Sequence, residues 1–230
     1  MTRILMGRKR RQQLFWSKGW FGGTRMLMQL LRRLGFSLAA VYYLQEAKVI
    51  RSLMKLEGNI AVDVGANIGY YSILLSRRFQ RIYAIEPHPK TAECLYSNLI
   101  RNHLQDRHKI ERVAVSDYEG EAELFLSWHS SVHSLFPKQM DRGSVKVRVT
   151  TLDSLLDEFT RIDLIKIDVE GAEWEVLRGS ERIMSKVRNW MIEVHKEHQK
   201  RQFEGKLQEY GYKTRWVDQH HILAYRANNT

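Results

Sequence analysis

From residue 59 onward, short apolar runs of strand length alternate with longer stretches of helical periodicity. This alternation is typical of βαβ units, in which helices join parallel strands and cover both faces of a sheet. The sequence therefore predicts an α/β fold with a mostly parallel sheet. We predict strands at 60–64, 81–86, 110–115, 162–168 and 190–195, and helices at 70–78, 90–103 and 172–186.

Two segments depart from this rhythm. The runs at 212–217 and 222–227 flank a polar turn, and they predict an antiparallel pair that finishes one edge of the sheet. Residues 121–149 contain two runs, EAELFLS and SVKVRVT, in which polar and apolar residues alternate. These runs predict a small β insertion with a long loop between its strands.

The positive charge of the chain is concentrated at its beginning. The formal net charge is +11, and nine of the 37 Lys and Arg residues lie in the first 45 positions, where no acidic residue occurs. The remaining chain has 28 basic residues against 26 acidic ones and is close to neutral. We therefore predict a basic arm with an amphipathic helix at 1–58 and a separate folded domain at 59–230.

Several roles are open for this arm. Its apolar residues Met26, Leu30 and Leu34 share one helical face, so the helix is expected either to pack on the sheet or to lie in an anionic membrane interface. An acid-free, Arg-rich start also resembles organelle transit peptides, and it suits contacts with RNA phosphates. Because Cys94 is the only cysteine, no internal disulfide is possible, and we expect a cytoplasmic protein, with peripheral contact to a membrane as an open alternative.

The strongest local motif is VDVGANIGYYS at residues 62–72, which follows a predicted strand and opens a helix. Gly65 permits a sharp turn and a close approach of ligand to backbone, and Gly69 lets the helix pack tightly on the strand. Asn67 stands where dinucleotide-binding loops have their middle glycine, and Asn tolerates left-handed backbone. The motif predicts a loop that binds a nucleoside-containing cofactor.

Two acidic residues indicate which cofactor. A carboxylate at Asp63, beside the loop, would repel a pyrophosphate but not the cationic aminoacyl end of S-adenosylmethionine. Glu86 ends the second predicted strand, where a carboxylate can accept hydrogen bonds from both ribose hydroxyls. No P-loop lysine accompanies the glycines. The sequence therefore favours S-adenosylmethionine over NAD or ATP.

The acceptor side is predicted at the ends of the next two parallel strands. Asp168 and Glu170 follow the strand at 162–168, and Glu193 and His195 share one face at the end of the strand at 190–195. Methylation of an alcohol requires removal of its proton, which a His of pKa near about 6.5 or a carboxylate of raised pKa can accept. These four residues are alternatively expected to hold a divalent metal that polarises the hydroxyl.

The sequence does not contain the residues that several other kinds of methylation require. No Asn/Asp-Pro-Pro-aromatic signature follows the strand at 162–168, which disfavours methylation of exocyclic amines on bases. Cys94 lies in a predicted helix away from any expected nucleophile position, which disfavours C5-pyrimidine chemistry. Lys166 is expected to flank the sheet, so the Lys-Asp-Lys-Glu set of RNA ribose methyltransferases is not predicted.

Taken together, these motifs resemble the FkbM family of S-adenosylmethionine-dependent methyltransferases between about residue 60 and about residue 196. The resemblance rests on VDVGANIGYYS, AIEPHP, VAVSDYEGEAELF, TLDSLL and above all IDLIKIDVEGAEWEVLRG. It implies a Rossmann-like class I methyltransferase fold, with a mostly parallel seven-stranded sheet, and O-methylation of sugars or natural products. It further implies a cofactor site at Asp63, Gly65, Asn67, Gly69 and Glu86, with Val113 and Ala114 beside the adenine, Ser116 or Asp117 nearby, and Asp168 and Glu170 at the reacting centre.

Three functions are weighed on these residues. The first is a small-molecule or glycan O-methyltransferase, in which the insertion residues Trp128, His129, His133 and Phe136 either cover the acceptor or close a small hydrophobic cluster. The second is an RNA methyltransferase that uses the basic arm. The third is a non-catalytic S-adenosylmethionine-binding protein, against which the acidic residues near Asp168 argue. The oligomeric state and the role of the arm stay open.

Overall fold

The structure is a computed structural model that describes residues 46–126, 134–135 and 143–226. The first 45 residues of the predicted arm lie outside this range, and so do Trp128, His129, His133 and Phe136 of the insertion. The described part of the arm, from Glu46, contributes a short helix whose side chains Val49 and Leu53 are fully buried in the core of the domain.

A seven-stranded sheet forms the centre of the domain, in agreement with the predicted Rossmann-like α/β fold. Its strands follow the order β3-β2-β1-β7-β8-β10-β9, in which β10 alone is antiparallel to both of its neighbours. The strands are β1 Gly58–Val64, β2 Phe79–Ile85, β3 His108–Glu111, β4 Ala114–Val115, β5 Gly120–Phe125, β6 Ser144–Thr150, β7 Leu164–Ile167, β8 Asn189–Glu193, β9 Lys213–Trp216 and β10 His221–Tyr225.

Helices cover both faces of this sheet, because alternate residues of its central strands are apolar in both directions. Val62 and Ile165 belong to the larger hydrophobic cluster on one face. Ala61 and Leu164, one position earlier on each strand, pack on the opposite face. The described helices are α1 Ala47–Leu53, α2 Tyr70–Leu75, α3 Pro89–Arg101, α4 Leu152–Leu155, α5 Glu173–Arg178 and α6 Lys200–Glu209.

The predicted β insertion is present as a second, three-stranded sheet. Its strands follow the order β4-β6-β5, with β5 antiparallel to β6 and β4 parallel to it. The prediction of a single strand at 110–115 was wrong, because this segment divides between β3 in the large sheet and β4 in the small one. The small sheet therefore begins where the third parallel strand ends, next to the carboxyl edge of the large sheet.

The prediction of one helix at 172–186 was also wrong in its extent. Helix α5 ends at Arg178, and a turn and a 3-10 segment at Met184–Lys186 follow it. Gly179 explains the end, since a Cβ atom there would lie 2.2 Å from the backbone oxygen of Ser116. Helix α6 was not predicted.

Among the described residues, no helix is both long enough and apolar enough to cross a bilayer.

The central strand β7 generates a stability prediction with a matched control. Ile165 is fully buried between Val62 and Trp190 of the neighbouring strands, whereas Ile100 on α3 is 44% exposed. We expect Ile165→Ala to lower the free energy of unfolding by about 2–5 kcal/mol, because it leaves a cavity in the core. Ile100→Ala is expected to change it by no more than about 0.5 kcal/mol. Urea unfolding of both variants checks this, and equal losses would contradict the layer assignment.

Candidate functional site

The carboxyl ends of the parallel strands open into a cavity of about 270 Å³. This is the edge at which doubly wound sheets bind their ligands. Of the predicted site residues, eight line the cavity, namely Gly65, Asn67, Glu86, Val113, Ala114, Asp168, Glu170 and Glu193. Further lining residues that the sequence analysis did not assign to the site include Glu46, Tyr70, Tyr71 and Lys166.

The glycine loop forms the turn that its sequence predicts. Gly65 has a φ of 77°, and a Cβ atom there would lie 1.8 Å from the backbone oxygen of Asp168, so the position requires glycine. Asn67 adopts the left-handed region with a φ of 50°, and its Oδ1 accepts a hydrogen bond from the backbone N of Ile68. Gly69 precedes α2 and packs against Leu95, outside the cavity lining. These backbone conformations hold the loop open toward a ligand.

Glu86 immediately follows β2 and is anchored by the backbone. Its Oε2 accepts a hydrogen bond from the N–H of Asn67 at 3.0 Å, and its Oε1 accepts one from the N–H of His88 at 2.9 Å. Burial raises the pKa of Glu86 to about 7, although these two hydrogen bonds favour the charged form. Glu86 thus ties the glycine loop to the end of β2 and presents its carboxyl group to the cavity.

Asp63 lies beneath the cavity and does not line it. It is fully buried, and its Oδ2 accepts a hydrogen bond from the hydroxyl of Ser72 at 2.6 Å. Burial raises its pKa, and the ammonium of Lys166, 3.9 Å from Oδ1, opposes this shift. The predicted direct contact of Asp63 with the cofactor stays a prediction, because the carboxylate supports the loop from below.

Lys166 is the main correction to the sequence analysis, which expected it to flank the sheet. Its side chain points along the same face of β7 as Asp168, and only 1% of the residue is exposed. Nζ lies 3.0 Å from Oδ2 of Asp168 and 4.3 Å from the centre of the Tyr71 ring. Burial lowers the pKa of this lysine, but the neighbouring carboxylates outweigh burial and raise it above its usual value. Lys166 therefore carries a charge at the floor of the cavity.

Asp168 follows β7 at the middle of the cavity. Burial raises its pKa, but the charges of Lys166 and His195 outweigh burial and hold the pKa below its ordinary value. Glu170, two residues later, adopts a left-handed φ of 58°, and its backbone oxygen accepts a hydrogen bond from the hydroxyl of Ser134 in the insertion. Asp168 is thus ionised near neutral pH, and the strand end is joined to the insertion.

His195 does not line the cavity, and its side chain is 29% exposed. Its Nδ1 lies 2.8 Å from Oε1 of the buried Glu173, and its Nε2 lies 3.7 Å from carboxylate oxygens of Glu170 and Glu193. Burial lowers its pKa, but Glu173 and the other two carboxylates more than offset burial and raise it to about 9. This pKa lies above the value near about 6.5 of an unperturbed imidazole, and the catalytic role of His195 stays a prediction. Near neutral pH this imidazole already holds the proton that a base would need to accept.

A metal could be held by one group of residues within the described part of the chain. Ligand atoms of Asp168, Glu193 and His195 lie within 4.8 Å of one another. The His195 Nδ1 contact with Glu173 is the kind of carboxylate–imidazole pairing that orients a metal ligand. However, Asp168 is already paired with Lys166, and His195 must lose its proton before it can bind a metal. The donor atoms fit a divalent cation, in competition with these two positive charges.

Glu46 adds a further carboxylate to the cavity lining, and His221 contacts the lining residue Glu193 from outside the cavity. Glu46 precedes α1, and its Oε2 accepts a hydrogen bond from the hydroxyl of Tyr71 at 3.0 Å. His221 begins β10 and pairs in register with Glu193, whose Oε2 lies 3.5 Å from Nε2 of His221. Neither Glu46 nor His221 was predicted from the sequence. The i,i+2 spacing of Lys166 and Asp168 was a usable signal, whereas these two had none.

The predicted adenine-side residues divide into two groups. Val113 and Ala114 line the cavity at the start of the small sheet. Asp117 does not line it, and its carboxylate pairs with Arg178 at 2.6 Å, which joins the small sheet to α5. The neighbouring Ser116 is buried and donates a hydrogen bond to Asp117. A contact of Asp117 with adenine stays a prediction.

Comparison with known proteins agrees with this geometry. The family model described as the methyltransferase FkbM domain matches residues 63–225, which include the last two residues of β1 and all of β2 to β10. The chain belongs to the FkbM methyltransferase family. This confirms the family that the five sequence motifs indicate, and it places the C-terminal antiparallel pair inside the family domain as well.

Curated members of similar sequence are methyltransferases of several organisms. The chain is 32% identical to methyltransferase sdnD of Sordaria araneosa over 58% of its own length and 65% of that protein. It is 29% identical to the hexuronic acid methyltransferase AglP of Haloferax volcanii, over 65% of this chain and 62% of that one. It is 29% identical to the 2-O-methyltransferase NoeI of Sinorhizobium fredii, over 60% and 64%. The matches thus span less than two thirds of each of these relatives.

Solved structures confirm the fold. A crystal structure of methyltransferase FkbM from Methylobacillus flagellatus superposes with a TM-score of 0.53 at 15% identity, over 89% of this chain and 71% of that one. The magnesium protoporphyrin IX methyltransferase of Synechocystis, solved with bound S-adenosylmethionine, gives 0.51 at 11% identity over 81% and 80%. At these identities the likeness concerns the fold alone.

The raised pKa of Glu86 generates a pH prediction. Folding raises this pKa from its ordinary 4.5 to about 7, so the stability that Glu86 contributes is full below about pH 4.5 and is lost as the pH rises through 7. Glu86→Gln removes this dependence, although the amide cannot accept both backbone hydrogen bonds. We expect the wild-type advantage over the variant to fall by about 2–3 kcal/mol between pH 5 and pH 8. Urea unfolding at both pH values measures it, and a constant difference would contradict the buried carboxyl group.

Proposed function

We propose that this protein is an S-adenosylmethionine-dependent O-methyltransferase that acts on a hydroxyl of a sugar or another small molecule. One observation carries the proposal. The cavity at the glycine loop is lined by carboxylates, and Lys166 is the only basic residue among the lining residues that the structure describes. Such a surface suits a cationic cofactor and a neutral acceptor.

The residues present fit S-adenosylmethionine better than a pyrophosphate cofactor. Gly65 lines the cavity, and because it lacks a Cβ atom the glycine loop packs directly against the backbone of Asp168. Glu86 stands at the end of β2 with its carboxyl group held by two backbone amides, ready to accept hydrogen bonds from ribose hydroxyls. A pyrophosphate at the same place would meet the charge of Asp168 without a free cation beside it, because Lys166 is already paired.

S-adenosylmethionine supplies, when bound, an electrophilic methyl group on a positively charged sulfur. The protein's task is then to place the acceptor hydroxyl in line with that methyl group and to remove the hydroxyl proton. Asp168 is the residue that we assign to the proton, which its Oδ1 accepts while Lys166 holds Oδ2. An alcohol oxygen becomes strongly acidic as its new C–O bond forms, so a carboxylate of low pKa suffices for a late proton transfer.

The other charged residues near Asp168 orient the acceptor side in this proposal. His195 is protonated near neutral pH, so we assign it to holding the carboxylates of Glu170 and Glu193 rather than to accepting a proton. Glu170 lines the cavity two residues after Asp168. The name of one relative, a 2-O-methyltransferase, supports an oxygen as the methylated atom, and the name of another, a hexuronic acid methyltransferase, supports an acceptor derived from a sugar.

The choice of cofactor can be tested by direct binding. We expect S-adenosylmethionine and S-adenosylhomocysteine to bind in isothermal titration calorimetry, and NAD not to bind. Glu86→Ala is expected to weaken binding by about 10-fold to 100-fold, since it removes charge-assisted hydrogen bonds worth about 1.5–3 kcal/mol. Glu93→Ala, which removes an exposed carboxylate of α3, is the matched control and should leave binding unchanged. A well-folded protein that binds neither sulfur compound would refute the proposal.

The assignment of Asp168 is the second prediction. We expect Asp168→Asn to lower kcat by about 10²-fold to 10⁴-fold, because the amide cannot accept the proton. The affinity for S-adenosylhomocysteine should stay within about threefold. The readout is S-adenosylhomocysteine release with a sugar acceptor, and Asp157→Asn, at an exposed carboxylate, is the control. An unchanged kcat would transfer the proton to another group.

Treatment with a chelator tests whether the positive charge beside Asp168 comes from Lys166 or from a bound metal ion. Because Lys166 already pairs with Asp168, we expect treatment with EDTA, followed by dialysis, to lower methyl transfer by less than about twofold. Loss of activity that Mg²⁺ restores would instead assign a metal to Asp168, Glu193 and His195.

A further inference from the structure

The order of the strands gives the cavity two ends. Glu86 follows β2, Asp168 follows β7, and Glu193 ends β8. Between β2 and β8 lie β1 and β7. Since neighbouring strands lie about 4.8 Å apart, Glu193 stands about 14 Å from Glu86 along the sheet edge. With the cofactor ribose assigned to Glu86 and the reacting centre to Asp168, the end at Glu193 is left for the acceptor.

This acceptor end presents two carboxylates from distant parts of the chain. Glu193 and Glu46 both line the cavity, together with the side chains of Tyr70 and Tyr71. Oε2 of Glu193 lies 3.5 Å from Nε2 of His221, and Oε2 of Glu46 lies 3.8 Å from the same nitrogen. One imidazole therefore gathers both carboxylates at a single place in the wall.

His221 is itself fixed from behind. Its Nδ1 lies 3.0 Å from Oδ1 of Asp218, which also accepts hydrogen bonds from the backbone N–H groups of His220 and His221. Only 5% of His221 is exposed, and it does not line the cavity. Glu193 and Glu46 face Nε2 of this imidazole, and Asp218 faces Nδ1 on its other side. The arrangement holds two carboxylates toward the cavity and their counter-charge behind it.

We propose that Glu46 and Glu193 bind the hydroxyls of an uncharged, polyhydroxylated ring, and that His221, held by Asp218, positions both carboxylates for this task. This rests on the proposed function and specifies its acceptor. Carboxylates accept strong hydrogen bonds from hydroxyl groups. The partly exposed ring of Tyr70 offers apolar surface to a sugar face. An acceptor that carries its own carboxylate would meet like charges from Glu46, Glu193 and Asp168 within the same cavity.

The test compares sugars that differ in one group. Methyl glucoside, galactoside and mannoside are each paired with the corresponding methyl uronide, and methyl transfer is followed as S-adenosylhomocysteine release by the full chain. We expect kcat/KM for the neutral sugar to exceed that for its uronide by at least about tenfold in the pair that reacts best. Binding of S-adenosylhomocysteine is measured first, so that failure of the proposed function is recognised separately from failure of this proposal.

Substitutions of Glu46, Glu193 and His221 test whether these residues cause the preference for neutral sugars over uronides. Glu46→Gln and Glu193→Gln are expected to raise KM for the neutral sugar by about tenfold, with kcat and the affinity for S-adenosylhomocysteine within about threefold. Both should also reduce the preference over the uronide, because an amide does not repel a carboxylate. His221→Gln should act in the same direction, and less than additively when combined with Glu193→Gln, since it acts through that residue. Glu57→Gln, at an exposed carboxylate before β1, is the control.

Each possible result either supports or overturns the proposal. A neutral preference that declines in the three variants but not in the control supports the proposal. Equal or better use of the uronide, no reaction with any neutral sugar by a protein that binds S-adenosylhomocysteine, or a preference that the variants leave intact would each overturn it. Absence of S-adenosylhomocysteine binding would remove the methyltransferase function itself, and this proposal with it.

Discussion

The burial of one ammonium group in the central sheet organises this molecule. Lys166 stands on β7, directly opposite Asp63 on β1 in the strand register, and two residues before Asp168. A charge in the low-dielectric interior is tolerated only when opposite charges face it, and removal of one partner of such a pair costs about 3–5 kcal/mol. The two carboxylates are therefore required by the fold as well as by the proposed chemistry. Because Ser72 of α2 binds Asp63 and Tyr71 covers Lys166, the helix after the glycine loop is fixed to the same charges.

A layered charge distribution follows from this arrangement. Carboxylates form much of the polar surface of the cavity, and the imidazoles of His195 and His221 contact them from outside the lining, held by Glu173 and Asp218 respectively. An imidazole placed in this way fixes the position of a carboxylate without covering the face that it turns to the ligand. Such preorganised groups need no rearrangement when a ligand arrives. The cost of holding several like charges together is thus met within the fold, before any substrate is bound.

The sequence predicted the features that depend on local pattern, and it failed where distant strands meet. Apolar periodicity located the strands of the large sheet, although it joined β3 and β4 into one strand, and glycine spacing located the loop, since both signals are contained in a few consecutive residues. The positions of Glu46 and His221 depend on α1 and β10, which reach β8 only through tertiary packing, so no local pattern marked them. Lys166 was misjudged because a lysine between apolar residues was read by its usual exposure. The side-chain alternation of a strand already placed it on the face of Asp168.

The pairing of the histidines bears on which group can accept the acceptor's proton. A free imidazole is well matched to proton transfer at neutral pH, but His195 and His221 each face several carboxylates, which raise the pKa of each to about 9. Each would have to lose its proton first, against the attraction of buried negative charge. A carboxylate beside Lys166 has the opposite property, since its pKa is lowered and it is ionised throughout the neutral range. The same electrostatics therefore favour His195 and His221 as groups that hold neighbouring carboxylates, and they support the proposal that Asp168 accepts the proton.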